Sequence, residues 1–165
     1  MLWPWKKKED KSSNQLSQEE KPDMDEMVLT SKNIKQVLGV NNDVNFRDIY
    51  INSEQGIKTT EVFVEGLVDS KAISEYILAP LVQDLRFCEA KNEREIIQYI
   101  KQGNIYFAAQ NMRTNIKDVI SDILSGYVAL VFDGCRIAFT FETKGFEKRS
   151  ITEPTDENVI KGSKD

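Results

Sequence analysis

Apolar residues along this chain recur in two rhythms, a three-to-four-residue step and a two-residue step, and the switches between them lay out its elements. Residues 27–40 predict a first helix: Ile34, Val37 and Leu38 form a short stripe, Thr30 or Ser31 can cap it, and Gly39 ends it. Residues 44–51 and 59–68 are β-branched and aromatic and read as strands, joined by a connection containing Gly56. In the second, Val62, Val64 and Val68 alternate with Glu61, Phe63 and Glu65, which predicts one buried face. The helical rhythm returns over residues 69–85, where Ile73, Ile77, Leu81 and Leu85 follow at i, i+4 steps behind a cap at Asp69 or Ser70. Pro80 lies inside that pattern. Its ring clashes with the carbonyl of Tyr76 and it lacks an N–H, so a kink or a fresh start is expected at Ala79 and Pro80, as a simple bend or as a hinge.

Residues 86–91 are polar apart from Phe87 and Cys88, and mark a boundary. Beyond them Asn92-Glu93-Arg94-Glu95 is a capping-box pattern, Ile96, Ile97 and Ile100 form the stripe, and Gly103 stops the helix. Residues 105–109 form a short apolar strand. Asn115 opens another helix, in which Ile116, Val119, Ile120, Ile123 and Leu124 fit the 3.6 period, and Gly126 closes it. A hairpin follows at once. Asp133-Gly134 between two β-rich runs predicts a two-residue type I′ turn that pairs Phe132 with Cys135, Leu130 with Ile137 and Val128 with Phe139. Those six residues, extended by Phe141, share one face. The other face, with Tyr127, Ala129, Val131, Arg136, Ala138 and Thr140, is mixed and expected to be half solvated.

The fold class that results is α/β: two small lobes, each with helices packed on a short mixed sheet. The expected organisation is a disordered tail over 1–27, an N-terminal lobe over 28–87, a C-terminal lobe over 88–145, and a polar tail over 146–165. The first tail is rich in Lys, Glu, Ser, Gln and Asp after Trp5 and buries too little to offset its ordering entropy. Leu2, Trp3 and Trp5 beside Lys6, Lys7 and Lys8 suit either a solvated tail or contact with an anionic lipid surface. They do not make a signal peptide, because the charges follow the apolar residues.

Composition narrows the function. At 165 residues, 40% of them hydrophobic, the chain has enough apolar surface for a core, and no apolar run approaches the roughly 20 residues that cross a bilayer. The net charge of −5, with both signs well mixed, argues against a nucleic-acid surface. The chain has no histidine, which removes the commonest general base and metal ligand. Cys88 and Cys135 are far apart and match no metal spacing; they read as reduced, buried small residues, with a disulfide between them the alternative. The eight glycines are scattered singly, so no phosphate loop is present. Glu65, Asp69, Asp84 and Glu142 are the acids that can be argued into a catalytic pair, against the simpler reading of helix caps and solvated faces, and Asp133 is accounted for by its turn. No catalytic residue, metal ligand or cofactor is predicted, and the ligand-binding residues are unknown. The residues alone define an α/β domain that binds or transmits.

Three runs go further. Val64-Glu65-Gly66-Leu67-Val68-Asp69, then Ile73 and Glu75-Tyr76-Ile77-Leu78-Ala79-Pro80-Leu81, form one. Leu124-Ser125-Gly126 and Val131-Phe132-Asp133-Gly134 form a second. The third runs from Thr143-Lys144-Gly145-Phe146-Glu147-Lys148-Arg149-Ser150-Ile151 through Glu153-Pro154 and Glu157 to Val159-Ile160-Lys161-Gly162. Together they resemble the N-terminal soluble domain of the A subunit of the GerA family of spore germinant receptors, from about Asn33 to Gly162. The third run is the most specific, since no fold requires so many polar residues in fixed order. Ser163 stands where the family usually has Pro, and Lys161 where it often has Arg. The resemblance implies a subunit without enzymatic activity or cofactor, working with B and C subunits in the spore inner membrane. It also implies a role in responding to small germinants (amino acids, sugars or nucleosides), by sensing them or relaying the signal, or alternatively in assembling the subunits without touching germinant. Membrane attachment is then expected beyond Asp165, with the chain cut just before the first membrane-spanning helix.

Overall fold

The computed structural model describes residues 23–105 and 109–143. Residues 1–22 of the expected first tail and all of the polar tail over 146–165 lie outside it, as do residues 106–108 of the predicted strand 105–109.

The chain runs α1 (Ser31–Leu38), β1 (Val44–Asn52), β2 (Ile57–Val64), α2 (Ser70–Ala72), a π-helical segment π1 (Ile73–Leu78), α3 (Ala79–Gln83), α4 (Leu85–Cys88), α5 (Glu93–Lys101), β3 (Gln110–Arg113), α6 (Ile116–Leu124), β4 (Tyr127–Phe132) and β5 (Ile137–Glu142). The α/β class is as the sequence predicts. The strands, however, do not divide into two lobes with a short mixed sheet each. They form one five-stranded sheet in the order β1-β2-β4-β5-β3, antiparallel at every pairing. The seam is the pairing of Thr60–Val62 with Val131–Ala129. Nor does the polar stretch 86–91 separate one core from another, because Phe87 and Ala90 are both buried in the same cluster.

Helices cover both faces of the sheet. On one, Val128, Leu130, Phe132, Phe139 and Phe141 pack against Ile77, Leu81, Phe87, Ile96 and Ile100. Phe132 and Phe139 meet edge to face at 6.1 Å and 85°, within the favoured range for aromatic pairs. Full burial of each such side chain is worth roughly 1.5–3 kcal/mol. On the other face Val62, Ala129, Val131 and Ala138 pack against Leu29, Ile34 and Leu38 of the α1 region and Ile116, Val119, Ile120 and Ile123 of the α6 region. The sequence predicts this second face to be half solvated, yet Ala129, Val131, Ala138 and Thr140 are all buried. Their small or β-branched side chains let α6 lie close to the strands. Met24 and Met27, inside the predicted tail, pack against the same core.

Local signals explain most boundaries. Thr30 Oγ1 accepts the Asn33 N–H, Asp69 the Lys71 and Ala72 N–H groups, Asn92 the Glu95 N–H, and Asn115 the Lys117 N–H. Gly126, at φ 94°, ends α6 in the left-handed conformation its sequence position calls for. Strand β2 stops at Val64, four residues sooner than predicted, because Gly66 turns the chain at φ 84°. Pro80 acts as expected, with an added detail. The helix widens just before it, Ala79 N–H donating to Ser74 O five residues back, and α3 starts afresh at Ala79. It ends at Gln83 rather than Leu85, because Asp84 is extended and caps α4 through the Arg86 N–H.

The hairpin departs from its predicted register. Gly134 does not adopt positive φ. Arg136 does, at 54°, and the loop holds four residues, Asp133 to Arg136. Phe132 therefore pairs with Ile137, Leu130 with Phe139 and Val128 with Phe141. The slip is two residues, so the apolar face survives it intact.

Candidate functional site

The ladder between β2 and β4 holds three residue pairs and stops at Thr60 and Val131. Beside that end lies a crevice of about 370 Å³. Thr60 and Val131 line it beside the seam, Gln55, Gly56, Ile57 and Lys58 come from the β1–β2 hairpin, Lys91, Asn92 and Glu93 from the start of α5, and Asp133 and Gly134 from the β4–β5 turn. The Thr59 hydroxyl, donating to Val131 O at 3.0 Å, ties the two strands beside it.

Two carboxylates fix the β4–β5 turn. Asp133 accepts the Ser31 N–H and the Ser31 hydroxyl, both at 2.7 Å, which anchors the turn to the first turn of α1. Glu93, in the first turn of α5, accepts the N–H groups of Gly134 and Cys135. One short turn is thus fastened to a helix on each face of the sheet. The Glu93 carboxylate lies close over Gly134, so a Cβ there would meet its oxygen and the carboxylate would have to shift. It also explains the register, since Gly134 and Cys135 spend their N–H groups on Glu93 rather than on a two-residue turn. Burial, reinforced by Asp133, holds the Glu93 pKa above the ordinary carboxylate value against the opposing effect of the hydrogen bonds it accepts. The Cys135 thiol is pushed up for the same leading reason.

The crevice is polar and carries both charge signs. Lys58 is shared with Asp48, whose carboxylate it holds at 2.8 Å and below its usual pKa. Lys91 has no ion pair among the described residues, and its backbone N–H donates to Glu95. Such a site can hold a small polar molecule at its two ends, a carboxylate toward the lysines and an amine or hydroxyls toward Glu93 and Asp133. It contains no arrangement of nucleophile and base.

The acids singled out by sequence do not meet. Asp69 and Asp84 cap different helices, Glu65 is exposed after β2 with its N–H donating to Asp43 O, and Glu142 ends β5 beside Tyr127. Asp133 is in its turn as expected, and is an anchor as well. Cys88 and Cys135 are free thiols, half-buried rather than buried. Sequence reasoning misses Glu93, Lys58 and Lys91. The capping-box pattern draws attention to Asn92 and Glu95 and passes over Glu93 between them, and nothing in the spacing of Glu93 and Gly134, far apart in the chain, announces their contact. A further buried acid lies outside the crevice. Glu61 is wholly inaccessible; its Oε2 accepts from Arg47 at 2.7 and 2.9 Å, while Oε1 has no protein partner.

Comparison with known proteins places this arrangement in a family. The family model described as Bacillus/Clostridium GerA spore germination protein matches residues 32–165, and the chain belongs to that family. It is 28% identical to spore germination protein GerLA of Bacillus cereus over 79% of this chain and 26% of the relative. It is 29% identical to spore germination protein KA of Bacillus subtilis over 80% of this chain and 24% of the relative. The chain thus spans about a quarter of the length of these relatives. The fold matches the crystal structure of the N-terminal domain of the A subunit of the Bacillus megaterium spore germinant receptor GerK3. That match has a TM-score of 0.58 and 25% identity, over 68% of this chain and 44% of that one. No helix among the described residues is long and apolar enough to cross a membrane.

Proposed function

We propose that this domain belongs to an A-type germinant receptor subunit and senses a small polar germinant in the crevice between β2 and β4, or relays its arrival. The observation that carries the reading is the crevice itself. Residues 55–58 and Thr60 from the first half of the chain and 91–93, Val131, Asp133 and Gly134 from the second line it together, with both charge signs present. A ligand bridging the halves would favour one packing of the β4–β5 turn over another, and that turn is fastened to α1 and α5. The germinant would be an amino acid, a sugar or a nucleoside. In the whole receptor the domain would stand at the spore inner membrane beside B and C subunits, with membrane attachment supplied by chain beyond this segment. No catalytic step and no cofactor enter the reading.

The test is an NMR titration of the chain with those three classes of compound. Saturable shifts of the Gly56, Asn92 and Gly134 amides are expected with one of them. No shift at millimolar ligand would reject sensing in this domain. A second reading, assembly with the B and C subunits without germinant contact, is favoured by β1, a nine-residue strand whose outer edge no described strand pairs, with Tyr50 exposed on it. Co-purification with the partner subunits that is independent of germinant is its expected sign.

A further inference from the structure

A second cavity, of about 360 Å³, lies between the start of α1 and the β1–β2 ribbon, lined by Ser31, Lys32, Lys35, Phe46, Asp48, Lys58 and Thr60. Its charge is unlike that of the chain. Three lysines face one carboxylate, in a protein of net charge −5. That carboxylate is already satisfied: Asp48 accepts from Lys58 at 2.8 Å and from the Thr60 hydroxyl at 2.9 Å. Lys32 and Lys35 make no contact ion pair among the described residues, although Lys35 acts on Asp48 at longer range. The Lys35 ammonium instead lies 5.9 Å from the centroid of the Phe46 ring, which is half-buried and gives the cavity an apolar wall.

The geometry points to a binding site for a small organic anion with a planar apolar body, its negative group held by Lys32 and Lys35 and its body against Phe46. An anion there would gain two cationic partners while replacing no existing salt bridge of Lys32 or Lys35. Lys58 is already engaged by Asp48 at 2.8 Å, so it is part of the lining and the two remaining lysines supply the contacts. Because Lys32 and Lys35 line this cavity and not the crevice at the β2–β4 seam, the inference stands independently of germinant sensing there.

Benzoate is the probe, with neutral benzamide as its isostere and sodium chloride to match ionic strength. Amide shifts of the chain are followed in the wild type and in the Lys32→Gln, Lys35→Gln double variant, whose exposed side chains leave the core untouched. The expected result is saturable benzoate shifts at Ser31 to Lys35 and Phe46, absent with benzamide, with affinity lowered about tenfold in the double variant. Shifts that fail to saturate, that benzamide or chloride reproduces, or that the double variant retains at full affinity would overturn the assignment. Retained dispersion in the double variant's spectrum separates lost binding from lost folding.

Discussion

Glu61, fully buried, and Glu93, half-buried, are two acids held above their ordinary pKa, and they bias how the domain responds to pH. Burial raises both pKa values, against Arg47 for Glu61 and against the turn N–H groups for Glu93. A carboxyl whose folded pKa is raised binds its proton more tightly in the native state than in the unfolded chain. Its contribution is therefore present at acid pH and is lost as pH rises from the ordinary carboxylate value through the raised one. Urea unfolding between about pH 4 and 8 is expected to show stability falling across that window, with a smaller fall in Glu61→Gln, whose neutral amide has nothing to ionise. An unchanged profile would mean that Glu61 is solvated. Asp48 and Asp84, held low by Lys58 and by the Arg86 backbone respectively, act in the opposite sense at still lower pH. The Glu93 contact has its own signature. Gly134→Ala shifts the carboxylate over the turn and so weakens the contacts that Glu93→Ala removes; each is expected to cost up to about 1 kcal/mol, and the pair together less than the sum. Additive costs in a double-mutant cycle would show that the two residues do not act on each other.

At the level of elements, periodicity and caps carry the sequence far. Thr30, Asp69, Asn92 and Asn115 cap helices as their neighbours imply, and the stripe from Ile116 to Ile123 is buried along its length. Where structure and sequence differ the cause is shared: a contact distant in the chain settles the outcome. Asp133-Gly134 has the local chemistry of a type I′ turn, and Glu93 outweighs it. Ala129, Val131, Ala138 and Thr140 look half solvated until α6 is laid over them. Strand β3 forms at Gln110–Arg113, a polar run with no strand signature, where the chain pairs with β5 and Arg113 reaches α6. There Asp122 accepts from Arg113 at 2.8 and 3.2 Å and from the Thr140 hydroxyl at 2.7 Å, joining α6 to two strands. Asp122→Ala is expected to cost about 2 kcal/mol, since it strips a charged acceptor from three donors, and to speed amide exchange in β3 ahead of β4. Uniform loss of protection across the sheet would contradict that ranking.

Across the whole molecule, one sheet replaces two. The crevice at its seam could not be read from the sequence, because its walls come from segments far apart in the chain that meet only once β2 and β4 pair. That pairing also predicts a single cooperative transition: far-ultraviolet dichroism and near-ultraviolet tyrosine signals should unfold together, whereas two separated transitions would restore the two-lobe arrangement. The order β1-β2-β4-β5-β3 has a further consequence for biosynthesis. The central strand β4 and its neighbour β5 are the last strands to leave the ribosome, after both edges. Until β4 and β5 have emerged, the inner edge of the β1–β2 hairpin has no partner strand, and Val62 and Ile57 lack the β4 and β5 side chains that complete their clusters. A nascent chain halted before that point, with an open strand edge and an incomplete core, is a target for chaperones and proteases.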